Sequence, residues 1–375
     1  MSLLNTIQQQ NLTNLLKSLI DQNAARILIP ANQSKPGFWY GGGNMILDNR
    51  GVFWLCGRYR DQGDSRTGTE AGKRGLELAL WRSDDEAKSF KKIQSWSKAN
   101  LNRDGHSVVS IEGSALHQLK NGSWELFLST EKKCSYPEPL KPYQKPGTGI
   151  WSIDRIKGES PDKLKTDSLE SVLDAYEKPG YLHVKDPVLI DDGSNDRTLL
   201  IFCSHPFSWT SGNTGLATRM LDHNSFSVDT WEMVGRGPCW DVASTRITGG
   251  FKIPALGNFQ ILPKCSVFFY DGAECMNRLD QNIRGFKRPR GYSCEELGGA
   301  MLCWDSKFPS MQRLSPLEPL FLSPWGTHCS RYVDTLYTPS GIHATWQQSQ
   351  KDGSQPLVHN FLSTYEIEKI LTESH

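Results

Sequence analysis

The stretch Lys185-Asp-Pro-Val-Leu-Ile-Asp-Asp-Gly193, followed by Thr198-Leu-Leu-Ile-Phe-Cys-Ser-His205, decides the fold of this chain. Each half holds an apolar run, and the polar Asp-Asp-Gly sequence between them is typical of a turn, so the stretch predicts a β-hairpin. Asp186 stands at the entrance of its first strand. Variants of this strand–turn–strand unit recur along the chain, and such recurrence predicts a repeat architecture.

Four other segments are similar to this hairpin, which is the third of the five in chain order. Three copies share a spacing, because Asn44, Asp186 and Asp334 each stand seven residues before a turn glycine. The copies run, in order, from Trp39 to Cys56, from Ile111 to Leu128, from Lys185 to His205, from Trp240 to Tyr270 and from Cys329 to Trp346.

The copies begin about 65–80 residues apart, which is longer than the roughly 40–50 residues of compact propeller repeats. The surplus leaves room for outer strands, and the apolar runs 76–81, 149–153 and 299–304 are candidates for them. Four strands in each repeat, packed face to face around a channel, make a propeller blade. We therefore predict an all-β fold, a five-bladed β-propeller that occupies residues 36–375.

Three segments have helical patterns. In residues 1–30 the apolar side chains fall on one face, which predicts an N-terminal amphipathic helix packed on the outside of the propeller. A helix that binds a partner protein is the alternative. Residues 168–176 predict a short helix in a long insertion, and residues 365–371 predict a closing C-terminal helix. The apolar face of the first helix is formed by Leu12, Leu15, Leu16, Leu19 and Ile20.

The charges are nearly balanced, with 42 basic and 41 acidic residues among 375, so neither a nucleic acid nor a membrane is expected as a partner. The basic stretch 284–291 is short, and we expect a loop at the funnel rim there rather than a nucleic-acid patch. The first residues lack a signal-peptide pattern, and no run approaches the ~20 apolar residues of a membrane span. Nine cysteines without CxxC spacing suggest reduced thiols. We expect a soluble cytoplasmic protein.

Residues at the entrances of the innermost strands of a propeller converge on its central funnel, although they are far apart in sequence. The acidic candidates are Glu112, Asp186, Asp241 and Asp334, with Asp61 at the exit of the first hairpin. Two carboxylates in one polar pocket are typical of glycosidic bond cleavage, in which one donates a proton and the other activates water or attacks the sugar. Each acid alone could instead cap a turn or bind backbone amides.

Other side chains near these entrances suit a polar ligand such as a sugar. Arginines fork onto carboxylates, phosphates or hydroxyls, and tryptophans stack on sugar faces, although both also serve as surface ion pairs and as packing between blades. No HxH, HExxH, GxGxxG, P-loop or GxSxG motif is present, so we predict no cofactor, with a structural metal in the central channel left open. The predicted ligand-binding residues are Trp39, Asn44, Arg58, Arg60, Asp61, His205, Trp209, Trp240, Arg246, Arg331 and Asp334.

Two of these segments resemble a known family. Glu112-Gly-Ser-Ala-Leu, followed by Asn-Gly and an aromatic-rich strand, resembles the Glu-Gly-Pro element of the five-bladed propeller glycosidases, best known in glycoside hydrolase family 43. Lys185-Asp-Pro-Val-Leu-Ile resembles the Asp-Pro blade starts of that family and of the invertase-like and mannoside-phosphorylase-like propellers. The resemblance covers about residues 38–350 as an architecture and implies that Glu112 is the general acid and Asp186 the general base or the residue that tunes the acid.

This chain departs from the family pattern in two ways. Asn44 stands where the family usually has its base aspartate, and a neutral amide cannot accept a proton from water. Glu112 also precedes Asp186, whereas in arabinanase-like enzymes the glutamate follows both aspartates. The missing carboxylate would come from Asp241, Asp334 or Asp61, and Asp241 ranks first because Trp240-Asp241 opens a blade with Arg246 close behind.

Two functions remain open. The first is a glycoside hydrolase-like enzyme acting on a small or terminal sugar, because long insertions at 131–182 and 272–298 would wall the funnel into a pocket. The second is a non-hydrolytic propeller that binds a sugar or small metabolite, or acts as a lyase, cyclase or phosphorylase. The Glu112 and Asp186 pair favours the first function, and Asn44 favours the second.

Overall fold

The structure, a computed structural model, describes residues 4–61, 74–144, 148–190, 196–206, 211–221, 223–275 and 295–373. These residues form mainly short antiparallel strands, with one helix near each end of the chain. The elements are α1 (Thr6–Leu19), β1 (Arg26–Ile29), β2 (Phe38–Gly41), β3 (Met45–Leu47), β4 (Phe53–Asp61), β5 (Glu77–Ser83), β6 (Lys91–Ser97), β7 (Val108–Gln118), β8 (Trp124–Lys132), β9 (Ile150–Gly158), β10 (Lys165–Leu173), β11 (Val184–Ile190), β12 (Arg197–Ser204), β13 (Asn213–Met220), β14 (Ser227–Val234), β15 (Ser244–Lys252), β16 (Cys265–Ala273), β17 (Leu297–Trp304), β18 (Met311–Arg313), β19 (Ser330–Thr338), β20 (Gly341–Gln348), β21 (Leu357–Ser363) and α2 (Thr364–Thr372).

In the described part of the chain these strands make five antiparallel sheets, which are the blades of a propeller. Blade 1 is β2-β4-β5-β6 with β3 paired to β4, blade 2 is β7 to β10, blade 3 is β11 to β14, and blade 4 is β15 to β18. Blade 5 is β19, β20 and β21 with β1 outside them. The inner strands of neighbouring blades contact one another around the axis, in the order β3, β7, β11, β15 and β19, and β19 contacts β3 again. The predicted five-bladed, all-β propeller with an N-terminal helix is confirmed.

Blade 5 is built from both ends of the chain. β1 pairs antiparallel with β21, so that Arg26 faces His359 and Ile27 faces Val358. β1 lies inside the segment 1–30 that the sequence analysis treats as the packed helix. The early part of the chain therefore supplies the outermost strand of the last blade, and this pairing closes the ring.

Helix α1 packs its leucines into the same core as blades 4 and 5. Leu12, Leu15, Leu16 and Leu19 are fully buried in one cluster with apolar side chains of β16, β19 and β20. The buried Asn11 side chain donates hydrogen bonds to backbone carbonyls at the end of α2. Neither helix of the described residues is long and apolar enough to cross a membrane.

The predicted C-terminal helix is confirmed as α2, which begins with a capping box between Ser363 and Glu366. The predicted helix at 168–176 is wrong, because this segment belongs to β10, the outermost strand of blade 2. Pairing with β9 makes this segment a strand, and the register shift between Ser171 and Leu173 places Leu169 and Leu173 in different apolar clusters.

Residues 131–182 are also not one long insertion, since β9 and β10 of blade 2 lie within them. The Asp-Asp-Gly turn at 191–193, Trp209 and the basic stretch 284–291 lie outside the described residues. So does the greater part of the second predicted insertion, 272–298.

We predict that Leu16→Ala lowers the free energy of unfolding by about 2–5 kcal/mol, because it opens a cavity in the core shared by α1 and blades 4 and 5. Urea unfolding followed by tryptophan fluorescence measures the change. Lys17→Ala, on the exposed face of the same helix, is the control and should change stability by less than ~0.5 kcal/mol. Equal stability of Leu16→Ala and Lys17→Ala would show that the helix is not part of the folding core.

Candidate active site

The innermost strands of blades 2, 3 and 5 each carry a β-bulge. The pairing of β7, β11 and β19 with their neighbours shifts across Glu112, Asp186 and Tyr332, respectively. Asp186 and Tyr332 have φ angles of 54° and 53°, in the left-handed region that residues other than glycine rarely adopt. Bulges re-aim side chains, and backbone strain collects at functional sites, so these positions mark the candidate active site.

Asn44, Asp186 and Asp334 each stand seven residues before a turn glycine, but they do not occupy equivalent positions in the blades. Asp186 lies on the bulge of β11, whereas Asp334 follows Tyr332 of the β19 bulge by two residues. The side chain of Asn44 exchanges two hydrogen bonds, of 2.9 and 2.8 Å, with the backbone of Leu116. Asn44 therefore ties blade 1 to blade 2, and its amide is occupied by the backbone.

Glu112 is a buried carboxylate held by a hydroxyl and a guanidinium. Its Oε1 accepts a hydrogen bond from Ser110 Oγ (2.7 Å), and its Oε2 lies 3.3 Å from Arg58 Nη2. Burial favours the neutral acid, but nearby positive charges outweigh burial and hold the pKa of Glu112 well below its usual range. Those charges are on Arg58, Arg60, Lys185 and Arg74.

Asp186 connects the segment of Glu112 to Arg246. Its Oδ1 accepts a hydrogen bond from Gly113 N (3.0 Å), and its Oδ2 accepts one from Arg246 Nη1 (3.0 Å). A Cβ at Gly113 would lie only 2.5 Å from that Oδ1, so a glycine is required directly after Glu112. The Tyr332 hydroxyl lies 3.5 Å from the same Oδ1 and 3.2 Å from Arg58 Nη2, so the three bulges meet around it.

Arg246 binds three carboxylates from two blades. In addition to Asp186, its Nη2 reaches Asp271 Oδ2 at 2.6 Å and Glu296 Oε1 at 3.0 Å. Its guanidinium also lies 4.2 Å from the ring centroid of Tyr332. This one side chain therefore joins blades 3, 4 and 5 at the centre of the funnel.

Asp271 and Glu296, which both contact Arg246 Nη2, form a pair with opposite pKa shifts. Burial, with the negative charge of Glu296, raises the pKa of Asp271 in spite of Arg246. Burial acts on Glu296 as well, but Arg246, Arg331 and Lys185 outweigh it and hold the pKa of Glu296 below its usual range. The side chain of Glu296 is 16% exposed, whereas Asp271 is fully enclosed. These opposite shifts favour a proton on Asp271 and an ionised Glu296.

Two arginines flank the partly exposed Trp39. The guanidiniums of Arg60 and Arg331 each lie 4.6 Å from the centroid of its ring. Arg60 is the cross-strand neighbour of Trp39 in the pairing of β2 with β4. Arg331 Nη1 also donates to Glu296 Oε2, so this cationic group adjoins the carboxylate pair.

The structure brings half of the predicted residues together in one network, and Asp241 and Trp240 are among those outside it. Asp241 Oδ2 accepts from Arg313 Nε (2.6 Å) at the end of β18, the outermost strand of blade 4. Trp240 stacks on Tyr270 at 5.3 Å between ring centroids and donates to Ser315 O. Both residues therefore brace the outer part of blade 4, and Asp241 is not beside the funnel carboxylates. The predicted residues within the funnel network are Trp39, Arg58, Arg60, Glu112, Asp186, Arg246 and Arg331.

Asp61 and His205 have other partners. Both carboxylate oxygens of Asp61 accept from Asn32 Nδ2, each at 3.0 Å, after the end of β1. His205 Nδ1 binds Ser211 O, and burial lowers the pKa of His205 well below its usual value, so the imidazole is neutral. His205 is nevertheless close enough to Lys185, Arg246 and Glu296 for their charges to influence its pKa.

Sequence reasoning missed Asp271, Glu296 and Tyr332. Asp271 ends the apolar run of β16, and Glu296 immediately precedes β17, so neither stands at a blade entrance. The available signal was a carboxylate at the end of a buried strand, as in Val267-Phe-Phe-Tyr-Asp271. Within the described residues, no three His, Cys, Asp or Glu side chains are placed to hold a metal ion.

No family model matches this sequence, and no curated protein sequence matches it. Among solved structures, the chain is similar to an α-L-arabinofuranosidase from Lactobacillus brevis, with a TM-score of 0.54, 10% identity and coverage of 88% of this chain and 92% of that one. It is also similar to the GH43_1 enzyme from Xanthomonas citri complexed with xylotriose, with a TM-score of 0.53, 10% identity and coverage of 96% and 94%. For an endo-arabinase from Bacteroides thetaiotaomicron the values are 0.51, 10%, 91% and 98%. The fold is thus that of the five-bladed propellers found among glycoside hydrolases.

The buried carboxyl group of Asp334 makes the stability of the protein depend on pH. Burial outweighs the hydrogen bonds from Met45 N and Thr335 N and raises the pKa of Asp334 to about 7. An aspartate in the unfolded chain titrates near ~4, so the folded protein retains a proton that the unfolded chain releases. Stability is therefore lost as the pH rises between these two values, with a slope of at most about 1.4 kcal/mol per pH unit.

We expect Asp334→Asn to flatten this loss, because the amide keeps an acceptor for Met45 N and does not titrate. Urea unfolding of both proteins at several values between about pH 4 and pH 7.5 measures the slopes. Asp162→Asn, which removes an exposed carboxylate of blade 2, serves as the control and should follow the wild-type profile. Parallel profiles for Asp334→Asn and wild type would contradict the raised pKa.

Proposed function

We propose that this protein is a carbohydrate-active enzyme of the glycosidase type, which cleaves a small or terminal sugar in the propeller funnel. The observation that carries the proposal is the pair Asp271 and Glu296, which share Arg246 Nη2 while their pKa values move in opposite directions. Acid–base cleavage of a glycosidic bond needs a carboxyl group that can still hold a proton near neutral pH, and the raised pKa of Asp271 provides one within this pair.

The ligand class is supported by the fold and by the burial of the site. The Lactobacillus brevis protein is an arabinofuranosidase, and the Xanthomonas citri enzyme was solved with xylotriose, on the same fold as this chain. At 10% identity that likeness is one of fold, so the roles below rest on the residues of this chain. Glu112 and Asp186 are buried, which suits the end of a sugar rather than the interior of a polymer.

In this proposal the carboxylate pair donates the proton to the leaving oxygen. Asp271 lies beneath and stores the proton, whereas Glu296 is the partly exposed member that contacts the sugar. Because the two carboxyl groups titrate as a pair, the proposed step moves the single proton from Asp271 through Glu296 to the leaving oxygen and leaves both carboxylates ionised. Arg331 and Arg246 hold Glu296 in place from two sides.

Glu112 supplies the base. The charges around Glu112 favour its ionised form, so it suits activation of water or attack on the sugar rather than the acid role that the family resemblance implies. Asp186 acts as a positioning residue, because it binds both Gly113 N beside Glu112 and the guanidinium of Arg246. The family resemblance leaves two roles open for Asp186, the general base and the residue that tunes the acid. The positioning role corresponds to the second.

Asn44 favours a second function, in which the funnel binds a sugar or transfers it to phosphate. The Asn44 amide is bonded to the Leu116 backbone and supplies no carboxylate at the first blade. Phosphate as the nucleophile needs no base to activate water. Cleavage that depends on added phosphate would select this reading over hydrolysis.

The test is a screen of aryl glycosides with and without inorganic phosphate. Against the best substrate, Glu296→Gln should lower kcat/KM by about 10²–10⁴-fold, because the amide cannot carry the shared proton to the leaving oxygen. Glu112→Gln should cause a loss of the same order, because the amide cannot accept a proton from water.

Glu170→Gln is the matched control, since it removes a carboxylate that is ion-paired with Arg155 and Lys157 at the edge of blade 2. It should leave kcat/KM unchanged. Unfolding midpoints for all variants show whether each one folds. Activity that survives both Glu296→Gln and Glu112→Gln in folded protein would refute these roles.

A further inference from the structure

Arg60 differs from the other buried arginines of the funnel. Arg58 is ion-paired with Glu112, Arg331 with Glu296, and Arg246 with three carboxylates. Arg60 makes no ion pair with any residue that the structure describes, and its Nε and Nη2 atoms are buried without a hydrogen-bond partner. Its guanidinium thus has two buried donor atoms, Nε and Nη2, that bind no residue in the described part of the chain.

This condition is unfavourable for the protein alone. Arg60 is only 4% exposed, and burial lowers its pKa to about 10 despite the attraction of Glu112. A buried charge without a partner is unfavourable, and an unpartnered buried polar group in a folded protein needs an explanation such as a catalytic role or a bound ion. The surroundings are positive as well, because Arg74, Arg58 and Arg331 all act against the charge of Arg60.

Arg60 is connected to the proposed site of cleavage through Trp39 and Arg331. The guanidinium of Arg60 lies 4.6 Å from the ring centroid of Trp39, and the guanidinium of Arg331 lies at the same distance from it. Arg331 in turn holds Glu296, the exposed member of the carboxylate pair. A substituent on a sugar whose reacting bond lies at Glu296 would therefore reach Arg60.

We propose that the sugar accepted by this funnel carries an oxyanion, a carboxylate or a phosphate, and that Arg60 binds it with its unused Nε and Nη2 donors. This inference rests on the proposed function for the reaction, but the binding claim stands separately from cleavage. Nε and one Nη of a guanidinium form a fork that matches two oxygens of a carboxylate or phosphate. Neutral hydroxyls would fill the donors without compensating the buried charge.

Matched aryl glycosides provide the kinetic test. A glucoside, the glucuronide that differs by its carboxylate, and the glucoside 6-phosphate are compared, together with the corresponding galacto series. We expect wild type to prefer one anionic form by at least about tenfold in kcat/KM, and the preferred form identifies the carboxylate or the phosphate. Arg60→Met should reduce this anionic-to-neutral ratio by about 10–100-fold, the range of a charge-assisted hydrogen-bonded pair.

Two variants control the interpretation. Arg60→Lys keeps the charge and loses the fork, so it should retain part of the preference that Arg60→Met removes. Arg82→Met removes another arginine that lies over a tryptophan, Trp54 at 5.7 Å, but this arginine is on the surface with Asp84. It should keep the wild-type ratio.

Calorimetric binding of glucuronic acid, glucose 6-phosphate, glucose and inorganic phosphate separates the two proposals. Binding of an anionic sugar that weakens in Arg60→Met supports the role of Arg60, even if no glycoside is cleaved. Cleavage or binding of neutral sugars with no anionic preference overturns it and leaves the glycosidase proposal intact. An anionic preference that is equal in wild type and a folded Arg60→Met also overturns it.

Discussion

The pairing of β1 with β21 is the contact on which the rest of the structure depends. A propeller site exists only where the inner strands of all blades converge, and they converge only if the ring is closed. Here blade 5 takes its outermost strand from the beginning of the chain, with Arg26 opposite His359. Helices α1 and α2 pack against the same blade and bury a common core, so the closure is supported by apolar burial as well as by strand pairing.

Closure of the ring brings charged side chains from several blades together in the funnel. Arg246 gathers Asp186, Asp271 and Glu296, and Arg58 reaches Glu112 across the boundary between blades 1 and 2. Away from water these attractions are strong, and the desolvation that opposes them is also strong. Small differences in surroundings therefore shift the pKa values of neighbouring carboxyl groups in opposite directions, as with Asp271 and Glu296. The proposed acid–base chemistry depends on these opposite pKa shifts.

Residues with different structural roles can stand in similar local sequences. Lys185-Asp186 and Trp240-Asp241 both look like blade entrances, yet Asp186 binds Arg246 in the funnel while Asp241 binds Arg313 at the outer edge of blade 4. The even spacing to a turn glycine failed for a similar reason, because the bulges of β11 and β19 stand at different distances from their turns. A bulge adds a residue to one strand, and this addition has no fixed composition.

The sequence by itself determined the all-β class, the five repeated hairpins, the helices at the two ends and the presence of Glu112, Asp186, Arg246 and Arg331 near blade entrances. These follow from local patterns, since strand period, turn residues and apolar runs act over a few neighbouring residues. Only the tertiary structure decided that Asp271 and Glu296 share one guanidinium, that nearby positive charges favour an ionised Glu112, and that Arg60 has no ion pair with a described residue. The reason is physical: ionisation depends on charges and burial contributed by other blades, and these lie dozens of residues away along the chain.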